Sequence, residues 1–347
     1  MEIPSIFLNR ILVEAAKKNA SNLHIAVGSI PVMRIDDQLV AMSQEGIVSA
    51  DLVVKIVDSF LTDEEKVRLQ ESRELKIVKT FAGSFRFRVN VYFQKDLPSL
   101  SFNSIPSAPK SISELKLPAA INNLIKSDSG LFIVAGPQLS GKTATSAAII
   151  EEINKSMNKR IVTLEDPIEY QFVSKKSIIE QRQAGRDMKS IIDGVDYCLN
   201  EDVDAVCIGE VKKDFDSAVP DILNLASGNA FVIFEINTDS SIRVLERMLS
   251  ALKGSMSQEA ARYSLADILT GVIVQKLVPR VGGGMVLAHE MLLVNPAMKS
   301  LIREGRIYQI ESIMQTSRRE GMVSMEKSLE ELARAGEIKE NFRVNLT

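Results

Sequence analysis

The sequence predicts an α/β protein in two parts: a small α+β domain, then a mostly parallel sheet covered by helices on both faces. Three observations predict this. In the first part Phe85, Phe87, Val89, Val91 and Phe93 alternate with Arg86, Arg88, Asn90, Tyr92 and Gln94, the period-2 pattern of a half-buried strand. In the second part short apolar, β-branched runs are separated by helical patterns, as in a parallel sheet buried on both sides. Within that alternation, Gly136-Pro137-Gln138-Leu139-Ser140-Gly141-Lys142-Thr143 fits the phosphate-loop pattern G-x-x-x-x-G-K-[ST] at every fixed position.

The elements follow in order. Ser5 to Asn19 places Phe7, Leu8, Ile11, Leu12 and Ala15 at helical spacing, a first amphipathic helix. Leu23–Val27 and Pro31–Ile35 read as strands, the second turning at Asp36-Asp37 into Gln38-Leu39-Val40 as a hairpin. Few helices are expected up to the alternating strand. Asn103-Ser104-Ile105-Pro106-Ser107-Ala108-Pro109 reads as a linker, because two prolines and small polar residues resist regular structure. Leu131–Ala135, Arg160–Leu164, Ala205–Ile208 and Ala230–Phe234 read as buried strands, and Thr145–Asn154 as a helix. The chain ends in a helical pattern with Met325, Leu329 and Leu332 on one face and Gly336 as its C-terminal cap.

Composition limits the function classes. A chain of 347 residues suggests two domains, or three, and 45% hydrophobic residues is ordinary for a globular protein. The net charge of −3 gives no general electrostatic reason to bind nucleic acid or an anionic membrane. Lys175-Lys176, Lys212-Lys213 and Arg318-Arg319 read as solvated surface pairs. Cys198 and Cys207 fall in a helix and a buried strand; two separate cysteines without C-x-x-C point to a reduced compartment, with neither disulfide framework nor zinc site. Met1-Glu2-Ile3-Pro4 has no signal-peptide pattern, and no apolar run approaches the ~20 residues of a membrane span. A cytosolic location is expected.

The phosphate loop carries most of the chemistry. It sits at a strand-to-helix turn, where glycines let backbone N–H groups close around phosphate oxygens and the positive end of a helix dipole points at the same oxygens. Lys142 would reach the β- and γ-phosphates of a nucleotide, and the Thr143 hydroxyl would hold Mg2+; Ala144 follows the loop into the helix. Phosphoryl transfer also needs a metal and a residue that orients water. Ala205-Val206-Cys207-Ile208-Gly209-Glu210 has the Walker B form, so Glu210 would polarise the attacking water, or else is a plain strand-end carboxylate. In Leu164-Glu165-Asp166-Pro167-Ile168-Glu169, Glu165 is the candidate for the metal or water shell, and Asp166 and Glu169 are alternatively solvated or helix-capping. His24 and His289 read as structural, and two separated histidines with two separated cysteines build no metal cluster.

The order of phosphate loop, E-D-P-I-E box and strand-G-E resembles the secretion-type ATPases that power type IV pili and type II secretion, most closely their pilus-retraction, twitching-motility branch. Leu23-His24-Ile25 and Val32-Met33-Arg34-Ile35-Asp36 resemble that family's PAS-like N-terminal domain. Gln181-Arg182-Gln183-Ala184-Gly185-Arg186-Asp187 resembles its arginine-bearing segment. Gly282-Gly283-Gly284 with Ala288-His289-Glu290 resembles its late hairpin, and Ala297-Met298-Lys299-Ser300-Leu301-Ile302-Arg303-Glu304 its C-terminal retraction element. The chain has neither the four-cysteine insertion nor the longer N-terminal region usual in extension and secretion members. The resemblance implies a PAS-like N-terminal domain over 1–102, a linker over 103–118 and a RecA-like P-loop ATPase domain with C-terminal helices over 119–347. It implies ATP and Mg2+ as cofactors, Arg182 and Arg186 as phosphate sensors or else surface ion-pair residues, and a ring hexamer. The ring would work at the cytoplasmic base of the pilus machine on an inner-membrane platform protein, without inserting into the membrane.

Several departures bear on catalysis. The family's histidine box, T-L-H-T, aligns with Glu235-Ile236-Asn237-Thr238, so Asn237 stands at the histidine. An amide can hydrogen-bond a phosphate but cannot carry a proton charge as histidine does. Family arginines align with Asn103 and Asn200, and a lost guanidinium can cost orders of magnitude in rate. Leu139 replaces a glycine that allows positive φ, so it is strained if the loop keeps its geometry. The losses are expected to cluster around the γ-phosphate. Two readings remain: a working ATPase, favoured by the retained Glu210, or a nucleotide-binding accessory ring, homomeric or mixed with an active paralogue. A nucleic-acid translocase is disfavoured by the acidic balance and the lack of an aromatic-basic face.

Overall fold

The computed structural model describes residues 3–228, 230–317 and 320–340; Met1-Glu2 and Arg318-Arg319 lie outside the described residues. It divides into two compact units, residues 1–108 with 282–285 and residues 109–281 with 286–347.

In the first unit α1 (Pro4–Lys17) leads into β1 (Asn22–Ile25), β2 (Val32–Ile35) and β3 (Gln38–Ala41), then α2 (Ala50–Phe60), α3 (Asp63–Ser72), β4 (Glu74–Phe81), β5 (Phe85–Gln94) and β6 (Leu97–Ile105). The sheet order is β3-β2-β1-β6-β5-β4. All five apolar positions of the first helical pattern are buried. The β2–β3 hairpin turns at Asp36 and Asp37, both at positive φ, the turn whose twist matches its strands. On β5 the inward set includes Phe87, Val89 and Val91, as the alternation requires. Phe102 of β6 meets Phe81 and Phe87 edge-on, with ring centroids 5.8 and 6.2 Å apart.

Two expectations need correction here. Helices α2 and α3 were not expected; local capping marks them, since Ser49 Oγ accepts from Leu52 N and Thr62 with Glu65 forms a reciprocal capping box. Asn103 to Ile105, expected to open a linker, are the last residues of β6. Asn103 pairs with Asn22 on one side and Arg88 on the other. A strand paired on both edges gains ladder hydrogen bonds that outweigh the loop preference of Asn and Ser.

The second unit holds α4 (Ile121–Leu124), β7 (Gly130–Ala135), α5 (Lys142–Ser156), β8 (Arg160–Glu165), β9 (Ile178–Gln183), α6 (Ile191–Leu199) and β10 (Ala205–Ile208). It continues through α7 (Phe215–Ser227), β11 (Phe231–Ile236), α8 (Ser241–Ala251), α9 (Gln258–Ile268), β12 (Leu269–Pro279), β13 (Met285–Leu293), α10 (Pro296–Glu304), α11 (Ile310–Thr316) and α12 (Met325–Arg334). The sheet order is β13-β12-β7-β11-β10-β8-β9, and β12, β7, β11, β10, β8 and β9 run parallel. Residues of β7 alternate between two cores: Leu131, Ile133 and Ala135 pack with α6 to α10, and Phe132 and Val134 with α5 and the 112–125 segment. Such strands must be apolar throughout, which is why they read as continuous runs. Helix α12 ends as expected: Gly336, at φ 69°, donates to the Ala333 carbonyl and Glu337 to that of Leu332, a Schellman motif. No described helix is long and apolar enough to cross a membrane.

Truncating the aromatic hub of the first unit, Phe102→Ala, should lower its stability by about 3–5 kcal/mol, read from the midpoint of urea unfolding.

Candidate functional site

Parallel strands bring their C-terminal ends to one edge of the sheet, and the candidate residues gather there. β7 is buried throughout and ends at Ala135. Gly136 follows at φ 152°, and its N–H donates to the Ile236 carbonyl of β11 at 3.2 Å. A Cβ at Gly136 would press on Ser140 Oγ and lie 2.6 Å from the Gln275 carbonyl oxygen of β12, so only glycine fits. Pro137, Gln138 and Leu139 form the exposed crest of the loop. Leu139 has φ 64° and is 57% exposed, so the loop keeps its geometry with the expected strain at leucine. Gly141, at φ 90°, starts α5.

Lys142 is buried, and its Nζ donates to the carbonyls of Gly136 at 2.8 Å and Pro137 at 3.0 Å. The ammonium is thus held across the mouth of the loop. Ser140 Oγ is buried with no hydrogen-bond partner. Thr145 Oγ1 accepts a 2.7 Å bond from Gln275 Nε2, tying the first turn of α5 to β12. A buried cation, an orphaned buried hydroxyl and a backbone approach that excludes Cβ fit the phosphates of a nucleotide. Thr143 is half-buried in the first turn beside Ala144, and its hydroxyl is of the type that ligates Mg2+.

Carboxylates line the same edge. Glu165 ends β8; its Oε1 accepts from Thr163 Oγ1 at 2.6 Å and from Gln181 Nε2 at 3.1 Å. Burial pushes its carboxyl up, and those two donors oppose the shift. Gly209 lies beyond β10, its N–H bonded to the Leu164 carbonyl at 2.9 Å, and puts Glu210 at the neighbouring strand end. Asp166 accepts from Lys212 Nζ at 3.2 Å, the solvated role weighed for it. On β11, Glu235 is buried and its carboxyl is raised to about 7, chiefly by burial, with Ser146 and the Lys142 charge pulling the other way.

The arginines lie elsewhere within one chain. Arg182 projects to the α6 face of β9, its guanidinium 4.1 Å over the Tyr197 ring and its Nη2 donating to the Asp187 carbonyl at 3.3 Å. Arg186 is exposed and pairs with Asp187 at 3.5 Å. The Arg186 contact is an ion pair, whereas the Arg182 contacts are a ring face and a backbone carbonyl oxygen. Asn237 follows β11 on the loop edge, and its carbonyl accepts from Arg247 Nη1 at 3.1 Å.

The expected clustering of losses around the γ-phosphate is corrected for Asn200. It caps the C-terminus of α6, its Nδ2 donating to the Asp196 carbonyl at 2.8 Å. α6 runs back toward the start of β10, so Asn200 stands at the opposite edge of the sheet from the loop. Asn103 lies in the sheet of the first unit. Only Asn237 of the three lies at the loop edge of its own unit. His24 lies half-buried in β1, and burial lowers its pKa. The His289 N–H donates to Ser328 Oγ at 3.0 Å, and burial lowers that ring's pKa too. Among the described residues no group of His, Cys, Asp and Glu could hold a metal ion without a ligand's help.

Sequence reasoning passed over Glu235, Gln275 and Gln181. Glu235 and Gln275 are each a polar residue within an apolar strand run, the signal that could have found them, whereas Gln181 lies in the polar stretch Glu180-Gln181-Arg182-Gln183 and gives no such signal.

Leu139→Gly should remove left-handed strain of about 1–2 kcal/mol, less the entropy that glycine forfeits, for a net gain of up to about 1 kcal/mol in thermal unfolding. Gly136→Ala should instead overpack the loop against β12 and destabilise the unit by about 1–3 kcal/mol in the same measurement.

Comparison with known proteins places this geometry. Residues 2–343 match the family described as type II/IV secretion system protein. A twitching motility protein of Neisseria gonorrhoeae is 34% identical over 290 residues, covering 83% of this chain and 77% of the relative. The type IV pilus retraction ATPase PilT of Pseudomonas aeruginosa is 30% identical over 337 residues, 97% of each chain. The crystal structure of the pilus retraction motor PilT with bound ADP matches with a TM-score of 0.84 at 32% identity, covering 98% of this chain and 96% of that one. With a matched span that takes in the phosphate loop, both carboxylate-bearing strand ends and the whole first unit, the chain belongs to the type II/IV secretion system protein family.

Proposed function

We propose that this chain is the ATP-hydrolysing subunit of a motor for type IV pilus retraction and twitching motility. The observation that carries the reading is the closed phosphate loop, with buried Lys142 across its mouth and Glu210 and Glu165 at neighbouring strand ends on the same edge. Similarity to a retraction ATPase over 97% of both chains supports the direction of the motor's work. In this reading the loop N–H groups and Lys142 hold the phosphates, and Ser140 donates its unpaired hydroxyl. Glu210 orients the water, and Thr143 and Glu165 would hold the metal that comes with the nucleotide. Bound Mg2+ would supply charge neutralisation for the leaving and transferring phosphoryl oxygens. The ring hexamer, the inner-membrane platform partner and a peripheral station at the cytoplasmic base of the pilus belong to the same reading through the family resemblance.

A second reading, a nucleotide-binding accessory subunit beside an active paralogue, draws on Asn237. It stands at the end of β11 in place of the family's histidine, and its amide carries no proton.

Mg2+-dependent ATP turnover separates the two. A working motor should lose roughly 10²–10³-fold in turnover on Lys142→Ala or Glu210→Gln, by analogy with deletion of one transition-state partner. An accessory subunit should bind ADP but show wild-type turnover no higher than either variant.

A further inference from the structure

Gln181 lies on β9, the edge strand, yet its side chain reaches back to the end of β8. In the parallel register of the two strands Gln181 stands opposite Thr163, and Gln183 opposite Glu165. Alternate residues of a strand share a face, and Ile161 and Ile179 place this row on the α5 side of the sheet, in one core with Ala148 and Ile149. The Gln181 carboxamide is engaged at both ends. Its Nε2 donates to Glu165 Oε1 at 3.1 Å and to the Tyr170 carbonyl at 2.8 Å, and its Oε1 accepts from Phe172 N at 2.9 Å. A turned-over amide would set its oxygen against a carboxylate and a carbonyl, and its NH2 against an N–H donor. These partners therefore fix one orientation. The returning segment 168–172 sets Gln181, and Gln181 sets Glu165. Thr163 Oγ1 donates to the same Glu165 Oε1 at 2.6 Å. The carboxylate cannot swing away without breaking both bonds to that oxygen. Gln183 tethers the same segment at another point, its Oε1 accepting from Ile168 N at 3.2 Å.

We propose that Gln181 is a positioning residue for the metal that accompanies the nucleotide, acting by holding the Glu165 carboxylate in one orientation. The inference rests on the reading in which Thr143 and Glu165 hold that metal, and extends it by one residue. A carboxylate fixed beforehand loses little freedom when a cation arrives. Partners that orient a metal-holding group in this way are worth about 10–100-fold in metal affinity or activity.

The test is calorimetry of ADP binding with and without Mg2+, the ratio of the two affinities giving what the metal adds. Gln181→Met keeps the length of the side chain and loses its amide. It should lower the gain from Mg2+ by about tenfold and leave metal-free ADP affinity as it is, because the phosphate loop is untouched. Gln181→Glu, of the same shape but without the donor, should lower the gain at least as much and guards against a packing defect peculiar to one variant. Gln183→Met, which loses a tether of the segment rather than a donor to Glu165, should keep the full gain. Adding Gln181→Met to Glu165→Ala should cost nothing beyond Glu165→Ala alone, since the one residue acts through the other. An unchanged gain in either Gln181 variant, an equal loss in Gln183→Met, or multiplied losses in the double variant overturn the inference and leave the role of Glu165 standing. Loss of metal-free ADP affinity in both Gln181 variants assigns the residue to folding and overturns it equally. No gain from Mg2+ in the wild type, or an unchanged gain in Glu165→Ala, overturns the metal role of Glu165 together with the inference. A wild-type chain that binds no ADP, with or without Mg2+, overturns the nucleotide reading as well.

Discussion

The second unit depends on one close approach. At Gly136 the backbones of β7, β11 and β12 converge: its N–H meets the Ile236 carbonyl, and the Gln275 carbonyl stands where a side chain would be. That convergence ends β7 and turns the chain into the loop. It also sets the Gly136 and Pro137 carbonyls where Lys142 can reach them. Parallel alignment does the rest. Because β8, β10 and β11 share the direction of β7, Glu165 at the end of β8 and Glu210 and Asn237 just past the ends of β10 and β11 arrive on the same edge.

The site is polar inside an apolar frame. Lys142, Thr145, Ser146, Glu235 and Gln275 are buried between a sheet and helix whose shared core is mainly hydrocarbon. Burial strengthens each interaction among them and penalises each unmet one. Ser140 Oγ and the Gln275 Oε1 acceptor have no partner, and Leu139 holds a left-handed backbone at the crest. Unmet groups and strain collected in and beside one short loop are what a binding site retains when its stability is drawn from the surrounding sheet.

Much of this was legible in the chain. The phosphate loop could be read because its glycines, lysine and threonine are each demanded by backbone geometry or charge at fixed spacing. The strands β7, β8, β10 and β11 could be read because burial on both faces leaves unbroken apolar runs. Other features depend on partners distant in sequence. Asn103 looks like loop until β1 and β5 close on either side of it. α2 and α3 are short helices whose capping residues resemble ordinary polar turns. Asn200 aligns beside motif residues along the chain, yet the reversal of α6 carries it to the far edge of the sheet.

The two cysteines carry a practical consequence. Cys198 and Cys207 are both buried, and burial raises the first thiol to about 12 and the second well above its ordinary value. Since the thiolate is the reactive species, neither sulfur competes for an electrophile near neutral pH. The wild-type chain is therefore already a silent background for site-directed labelling. A single cysteine introduced on an exposed side chain such as Tyr263 or Tyr308 would be the one reactive thiol, and a fluorophore or spin label would report from that position alone.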